Sequence, residues 1–558
     1  MRVLVFHGYL LSGTGSNVYN ARLAEALVRL GHDVHLFSQD RHPERQLFVD
    51  AVGDWDGGEL SFKEVLRLRS AGSGRCAVYR PDIGGLLPVY VQDDYEGIEA
   101  KTFARCSRAE IDAYVEANVE AVREVAARAR PDLALANHLV MGPVILARGL
   151  PGETPYAVKV HGSALEYTVK PERERFLGYA KEGLARASTV LVGSRHTAES
   201  LWEALGEVHG KAIRPRTRLG PPGVDVERFS PRDAHRAETA MRELVETLRG
   251  MVPAPAEERS SAFARSEAAA ADALERVLGG SGPLTAFVGK LIVSKGVDLL
   301  IAAWPLVLRT ACDARLVVAG FGAYRDALEL LVARLAEGDL DGAREIARAG
   351  RSLEGHAPKA HDGATAGGGD TAPAVPGVLA ADRAELAPTP PLRHLLAFLD
   401  SLSGVEEDAY RTAALALEER IVFTGRLDHE ELADVLSACE ALVVPSTFPE
   451  AFGMVAVEAA ACGVLPVSGR HSGLVEVSEV LAAEVPEPAS AWLSFPIDDN
   501  AVRAIASRVV GWLGADTELK ERTRSALVSV ARERWSWEGV ARGVIAAARG
   551  EPVARPFG

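Results

Sequence analysis

Short runs of three to five mostly apolar residues punctuate this chain, separated by longer stretches whose apolar positions recur three and four apart. A short run without polar alternation predicts a strand buried on both faces, and the three-four spacing predicts an amphipathic helix laid over it. In the first half the runs fall at 3–6, 34–38, 133–136, 156–160 and 189–192, and the helical stretches at 18–30, 110–129 and 172–186. The opening is the plainest case: a strand, the loop Leu10 to Asn17, a helix, Gly31-His32-Asp33, and a second strand. Such a strand-helix-strand unit implies a parallel sheet. The second half repeats the pattern with runs at 285–288, 315–319, 421–424, 441–445 and 465–467. The expected fold class is therefore α/β, with two doubly wound parallel-sheet domains. Between them lies GPPGVDVERFSP, Gly220 to Pro231, whose Pro and Gly residues fix turns where the chain crosses. Near the end, Trp535, Trp537, Val540 and Val544 are spaced to form one apolar stripe on a last helix.

Two stretches interrupt the alternation. Residues 232–282 are rich in Glu, Arg and Ala and read as a helical insertion, and a longer insertion runs from about 337 to 415. Within the latter, GHAPKAHDGATAGGGDTAPAVPG has too little apolar content for a core and is expected to be disordered, while 392–402 and 409–417 read as helices. His356, His361, Asp362 and Asp370 in that tract lack metal-ligand spacing, and no metal is assigned to them. The resulting division is 1–222 as a first domain, 223–282 as connection and insertion, 283–530 as a second domain, and 531–558 as a terminal helix.

Length and composition add limits. With 558 residues, 47% of them hydrophobic, the chain can bury two or three cores. A net charge of −15 argues against nonspecific nucleic-acid binding. The five cysteines are scattered without CxxC or Cys/His spacing, so neither a zinc site nor a disulfide framework is expected. The first residues, MRVLVFHGYL, read as a strand rather than a leader peptide, and no apolar run reaches the roughly 20 residues that span a bilayer. The expected location is the cytoplasm, with membrane contact at most peripheral at the inner face.

The densest chemistry lies between Ala441 and Glu476. An apolar strand ends in Pro445-Ser446-Thr447, a loop carries Glu450, and a helix follows with Phe452, Val455, Val457, Ala459 and Ala460 on its buried positions. Glu458 lies eight residues after Glu450, about two turns deeper. The amides of Ala451, Phe452, Gly453, Met454 and Val455 open the helix, where unpaired N–H groups and the positive dipole end can meet hydroxyl or phosphate oxygens. A glutamate pair at this spacing is common on solvated helix faces. The full string EAFGMVAVE, with the small residues Ala459 to Gly463 and then VLPVSGRHSGLVEV, is far more specific. It resembles the donor-site signature of glycosyltransferase family 4, the retaining glycosyltransferases of GT-B fold (glycosyl transferases group 1).

That resemblance covers most of 1–230, 283–335 and 418–549, and it implies two Rossmann-like domains facing across a cleft. It places Glu450 on the donor sugar hydroxyls and Glu458 on the nucleotide ribose. PPGVD in 221–225 resembles the family's interdomain segment, and the family's terminal helix crosses back to the first domain.

Only ten of the 62 basic residues are lysines, and two of them stand in VGKLIVSKG, just after the first strand of the second domain. Gly289 and Gly296 allow tight turns there, and Lys290 and Lys295 can converge on a diphosphate as charge develops on it. In the family this segment holds the nucleotide diphosphate without a metal, so no cofactor is expected. The Asp93-Asp94 pair is given no role, because adjacent side chains on an extended segment point apart.

The loop Ser12 to Asn17 could serve a Rossmann dinucleotide site, but the third Gly of GxGxxG is missing and Asp40 is a weak ribose partner. It resembles instead the family's GG-like loop, with Ser12 for the first Gly. On that basis Gly13 and Gly15 are expected near the donor, and Ser16 and Asn17 toward acceptor or phosphate. His161 in KVHGS matches the family's HG segment, whose His contacts the donor sugar, and Gly162 leaves room beside it. Arg195 in VGSRH closes another strand and is expected toward the acceptor or phosphates. Asn137 and His138 also end a strand, where a structural role competes with a functional one.

The implied activity is transfer of a hexosyl group from a nucleotide-diphosphate sugar to an acceptor hydroxyl, with retention. His161, Lys290, Lys295 and Glu450 form the expected catalytic set. The residues leave UDP, GDP and ADP open, and the resemblance favours UDP. The acceptor is open among carbohydrate, lipid-linked and small-molecule classes, and no nucleic-acid partner is expected. Two alternatives remain: a nucleotide-sugar epimerase of GT-B shape, which converts donor without acceptor, and a nucleotide-sugar-binding scaffold, which turns nothing over.

Overall fold

The computed structural model describes residues 1–11, 15–56, 58–66, 72–90, 99–251, 266–354 and 390–551. The chain divides into two compact units, one built from residues 1–223 with the described residues from 534 on, the other from the described residues between 224 and 533.

The first unit is organised on a nine-stranded sheet. Its strands run in the order Thr217–Leu219, Thr189–Val192, Tyr156–Val160, Leu133–Asn137, Arg2–Phe6, Asp33–Phe37, Cys76–Arg80, Ala51–Asp56 and Glu59–Glu64. Every pair is parallel except the last. Alternation along each strand builds two cores. Leu4, Phe6, Ala134, Ala136, Val158 and Val160 face a cluster containing Val122, Leu146 and Phe176, from the helices Arg108–Ala129, Gly142–Gly149 and Arg173–Ala185. Val3, Val5, Leu133, Leu135 and Ala157 face Leu23, Leu27, Trp537, Val540 and Val544. The latter come from the helices Gly15–Arg29 and Trp537–Ala548. Trp537, Val540 and Val544 of the expected stripe thus close one face of this sheet, whereas Trp535 ends the preceding helix Thr517–Trp535, because Ser536 caps and restarts the helix. The Trp537 ring meets Tyr19 edge-on at 5.6 Å.

The second unit carries a six-stranded, all-parallel sheet in the order Ile421–Gly425, Arg315–Ala319, Leu284–Val288, Ala441–Val444, Leu465–Gly469, Ser494–Phe495. The helix Val297–Leu308 has an almost wholly buried sequence, VDLLIAAWPLVL, and Trp304 at its centre is fully enclosed. The insertion at 232–282 contributes two helices, Ala234–Gly250 and Glu267–Leu278, which pack together, the second lying against the edge strand Ile421–Gly425. A helix over an edge strand shields its backbone groups from pairing with another chain. From the longer insertion come the helices Leu340–Ala349, Arg393–Ser401 and Gly404–Ala414, the last tied to the core by Tyr410, whose hydroxyl donates to the Ala302 carbonyl at 2.9 Å. The Gly/Ala/Pro/Thr-rich tract with His356, His361, Asp362 and Asp370 lies outside the described residues, as do Asp93-Asp94 and Ser12-Gly13.

In a doubly wound sheet, ligands collect at the carboxyl ends of strands where the winding direction reverses. In the first unit this point lies between Arg2–Phe6 and Leu133–Asn137, and in the second between Leu284–Val288 and Ala441–Val444. Among the described residues no helix is long and apolar enough to cross a membrane.

Candidate functional site

In the second unit, two loops leave the reversal point and are hydrogen-bonded together. The Thr447 amide donates to the Ser294 carbonyl at 2.9 Å. Gly296 makes this join possible: its φ is +65°, and a Cβ there would sit 2.1 Å from the Pro445 carbonyl oxygen. The short 3-10 turn Val293–Lys295 thereby delivers Lys295, whose ammonium group contacts Glu450 Oε1 directly. The Ser446 hydroxyl donates to the same oxygen at 2.6 Å. Lys290, at the end of the preceding strand, is exposed, and Gly289 beside it has φ +157°.

Glu450 is also fixed through its backbone. Its N–H donates to Ser472 Oγ at 2.8 Å, and its carbonyl accepts from the Gly473 N–H at 2.9 Å. His471 completes the frame. Its Nε2 lies 2.6 Å from the Ser446 carbonyl, which only accepts, so Nε2 carries the proton and Nδ1 takes the Ser472 hydroxyl at 2.9 Å. Ser446, His471 and Ser472 were not assigned from sequence. GRHSG stood inside the matched string, yet nothing in its spacing says which group it grips.

After Glu450, Ala451 is exposed, Phe452 is buried, and Gly453, at φ +119°, caps the helix Met454–Ala461. A Cβ on Gly453 would meet the Leu474 side chain at 2.7 Å. As first residues of the helix, Met454 and Val455 have amides with no intrahelical acceptor. Glu458, in the middle of the helix, is 3% exposed and takes a hydrogen bond from His429 Nε2 at 2.7 Å. The two signature glutamates therefore have different partners, a lysine for Glu450 and a histidine for Glu458.

The first unit's reversal point is built from uncharged groups. His7 follows the strand Arg2–Phe6, Asn137 and His138 close Leu133–Asn137, and His161 follows Tyr156–Val160. The ring of His138 lies 5.9 Å from His7, 4.9 Å from His161 and 4.5 Å from Tyr90. Burial pushes the His7 imidazole down to about 4. Burial, with smaller contributions from neighbouring His138, Lys159 and His7, holds His161 well below the usual imidazole range, and His138 is lowered in the same way by burial and His7. All three rings are neutral near pH 7.

Their tautomers follow from their partners. His7 Nδ1 accepts from Asn20 Nδ2 at 3.0 Å, so Nε2 carries the proton toward Asn17 Oδ1 and the Leu10 carbonyl, each at 3.0 Å. Asn137 Nδ2 donates to the Phe6 carbonyl at 3.3 Å, which leaves Asn137 Oδ1 to accept from His161 Nε2 at 3.0 Å. His161 Nδ1 is thus a hydrogen-bond acceptor. Asn17 does not reach outward: it is 2% exposed and holds His7. Gly15 and Ser16 open the helix Gly15–Arg29, and Arg195 begins Arg195–Ile213 on the surface. Lys159 is buried, donates to the Gly220 carbonyl, and is lowered by burial to about 7.

The chain is similar to known proteins. The model of the glycosyl transferase 4-like domain matches residues 14–216, and that of glycosyl transferases group 1 matches 402–484, together just over half the chain. A D-inositol 3-phosphate glycosyltransferase 2 of Catenulispora acidiphila is 34% identical over 122 residues, 22% of this chain and 26% of that protein. A D-inositol 3-phosphate glycosyltransferase of Segniliparus rotundus is 28% identical over 178 residues, 31% and 36% of the two chains. The matched stretches thus span about a quarter to a third of the length of these curated relatives. The catalytic domain of starch synthase IV from Arabidopsis thaliana, solved with ADP and acarbose, shares the fold at 13% identity and TM-score 0.50, over 99% of each chain. With the group 1 model on the unit that carries Glu450 and Glu458, and the 4-like model on the unit that carries His161, the chain belongs to the group 1 glycosyl transferases of GT-B fold.

Proposed function

We propose that the protein is a retaining glycosyltransferase that moves a hexosyl group from a nucleotide-diphosphate sugar to an acceptor hydroxyl. The observation that carries this reading is the pairing of Lys295 with Glu450 at the sheet's reversal point, next to the open helix start at Met454 and Val455. A cation, an acceptor-rich carboxylate and free amides are the groups that a diphosphate joined to a sugar requires.

In this scheme Lys290 and Lys295 hold the diphosphate, Glu450 accepts hydrogen bonds from donor sugar hydroxyls, and Glu458 does so from the ribose. The bond from the anomeric carbon to the leaving phosphate oxygen breaks as a bond to the acceptor oxygen forms on the same face. The acceptor's proton passes to the departing phosphate. His161, neutral and protonated on Nε2, takes a sugar or acceptor hydroxyl on Nδ1; it orients a hydroxyl and supplies no proton. The lysines stabilise the charge of the leaving group, so transfer is expected to survive chelation of divalent metals. Lys295 leaves or shares Glu450 when the diphosphate arrives. The family relatives named above support a sugar-transfer chemistry, and UDP is the first donor nucleotide to try.

The test is release of nucleoside diphosphate from UDP-, GDP- and ADP-sugars with a panel of sugar, inositol and lipid-linked acceptors, followed by proton NMR of the product's anomeric coupling. Transfer with retention, abolished in Glu450→Ala and Lys295→Ala, is expected. Full transfer in both variants, or an inverted product, contradicts the reading. Conversion of the donor without acceptor points to an epimerase instead.

A further inference from the structure

The signature places Glu458, but Glu458 does not stand alone. The residue is 3% exposed, and one carboxylate oxygen, Oε1, accepts from His429 Nε2 at 2.7 Å. Among the described residues its other oxygen, Oε2, takes no hydrogen bond. A buried carboxylate with a single partner has spare acceptor capacity, and one anchored oxygen fixes where the other is presented.

His429 is itself held from three sides. It is the first residue of the helix His429–Leu436, whose start is set by the Asp428 amide donating to Glu431 Oε2 at 2.7 Å. Its ring lies 4.9 Å from that of Phe229, a fully buried residue of the Pro/Gly-rich connection. The neighbouring Arg228 pairs with Glu430 at 3.2 Å on the same helix turn. The stretch Asp225 to Ser230 therefore braces the helix that points His429 at Glu458.

We propose that His429 is a positioning residue for nucleotide recognition: it ties down Oε1 of Glu458 so that Oε2 meets a ribose hydroxyl, and it thereby sets the preference for ribonucleotide over deoxyribonucleotide donors. This rests on the reading of Glu458 as the ribose ligand. His429 donates from Nε2 because a carboxylate only accepts. Without it Glu458 has two unpartnered oxygens in a nearly buried place and is free to change rotamer. A ribose hydroxyl then loses its oriented acceptor, while the diphosphate contacts of Lys290 and Lys295 are untouched.

The experiment is calorimetric titration of the full chain with whichever of UDP, GDP and ADP binds most tightly, and with its 2′-deoxy and 3′-deoxy forms. Wild type, His429→Ala, His429→Gln and Glu458→Ala are compared. In wild type, at least one deoxy form should bind about tenfold more weakly, the scale of one lost hydrogen bond in an oriented site. In His429→Ala that ratio should fall to within about threefold, with affinity for the deoxy form nearly unchanged. In His429→Gln, whose amide can still donate, most of the ratio should return. A purely structural role for His429 lowers all three affinities together and leaves the ratio intact, and that result overturns the proposal. A ratio that survives in Glu458→Ala, or that is absent in wild type, instead removes Glu458 from the ribose and takes the inference with it. If none of the three nucleotides binds, the donor-site reading fails first.

Discussion

The two reversal points do opposite things with charge. In the second unit the loops and the helix that follow the strands carry Lys290, Lys295, Glu450 and Glu458, with Lys295 and Glu450 in contact. In the first unit the corresponding strand ends carry the uncharged amide of Asn137 and the rings of His7, His138 and His161, which burial keeps neutral near pH 7. One winding topology thus supports an ionic site and a neutral one, and what differs is the residue placed just beyond each strand. A diphosphate needs cations and amides. A hydroxyl to be oriented needs a lone pair on a ring that does not titrate, which the Asn137–His161 bond supplies at Nδ1.

The largest test of this contrast is Lys295→Ala. Loss of a preorganised cation at the leaving group is expected to lower kcat/KM by about 10²- to 10³-fold. The unliganded protein should melt almost unchanged, since a partly exposed ion pair contributes at most about 1 kcal/mol. A fall of less than about threefold would show that the diphosphate is held elsewhere.

The neutral site should show itself in acid. The His7 imidazole is lowered to about 4 in the fold, against about 6.5 in the unfolded chain. The unfolded state therefore takes up a proton first, and stability is lost as pH falls from about 6.5 toward 4, with no further loss from this group below that. For His7 alone the loss reaches about 3 kcal/mol. Denaturant unfolding at pH 7.5, 6 and 5 should show the first unit weakening, and His7→Gln should flatten that dependence. An equal slope in the variant would contradict the assignment.

A smaller effect is expected from His161→Ala: about 10- to 100-fold in kcat, the range for one oriented hydrogen bond lost at the reacting hydroxyl. Nucleoside diphosphate affinity should stay within about twofold, because the ionic site lies in the other unit. A matching loss of nucleotide affinity would erase the distinction between the two sites. Smallest of all is His138→Phe. Neither ring nitrogen of His138 has a hydrogen-bond partner among the described residues, so removing them should shift stability by under about 1 kcal/mol. A larger loss, read from chemical denaturation, would reveal a partner for that ring.

Much of this was legible in the chain because strand ends were. Runs such as Val3–Phe6 and Ala441–Val444 are buried on both faces and stay continuously apolar, so they located the points where Glu450, Lys290 and His161 project. The strands Ala51–Asp56 and Glu59–Glu64 leave no apolar run in the sequence, since they form the sheet's outer edge and carry Asp54, Asp56, Glu59, Lys63 and Glu64, which break the apolar signal. What sequence could not supply is pairing at a distance. Lys295 and Glu450 were each expected at a donor, yet their contact spans 155 positions and depends on the Thr447–Ser294 bond. His429 reaches Glu458 across 29 positions and belongs to no motif of its own. Asn17, expected to face outward from its loop, is turned inward, where it shares the His7 Nε2 proton with the Leu10 carbonyl.

The central claim is that the charged site of the second unit holds a nucleoside diphosphate. Calorimetric titration of wild type, Lys295→Ala and Glu458→Ala with UDP, GDP and ADP tests it most directly. Selective binding of one nucleotide, weakened about tenfold or more in both variants, is the predicted result. Failure of all three to bind wild type, or binding that both variants retain in full, would contradict it.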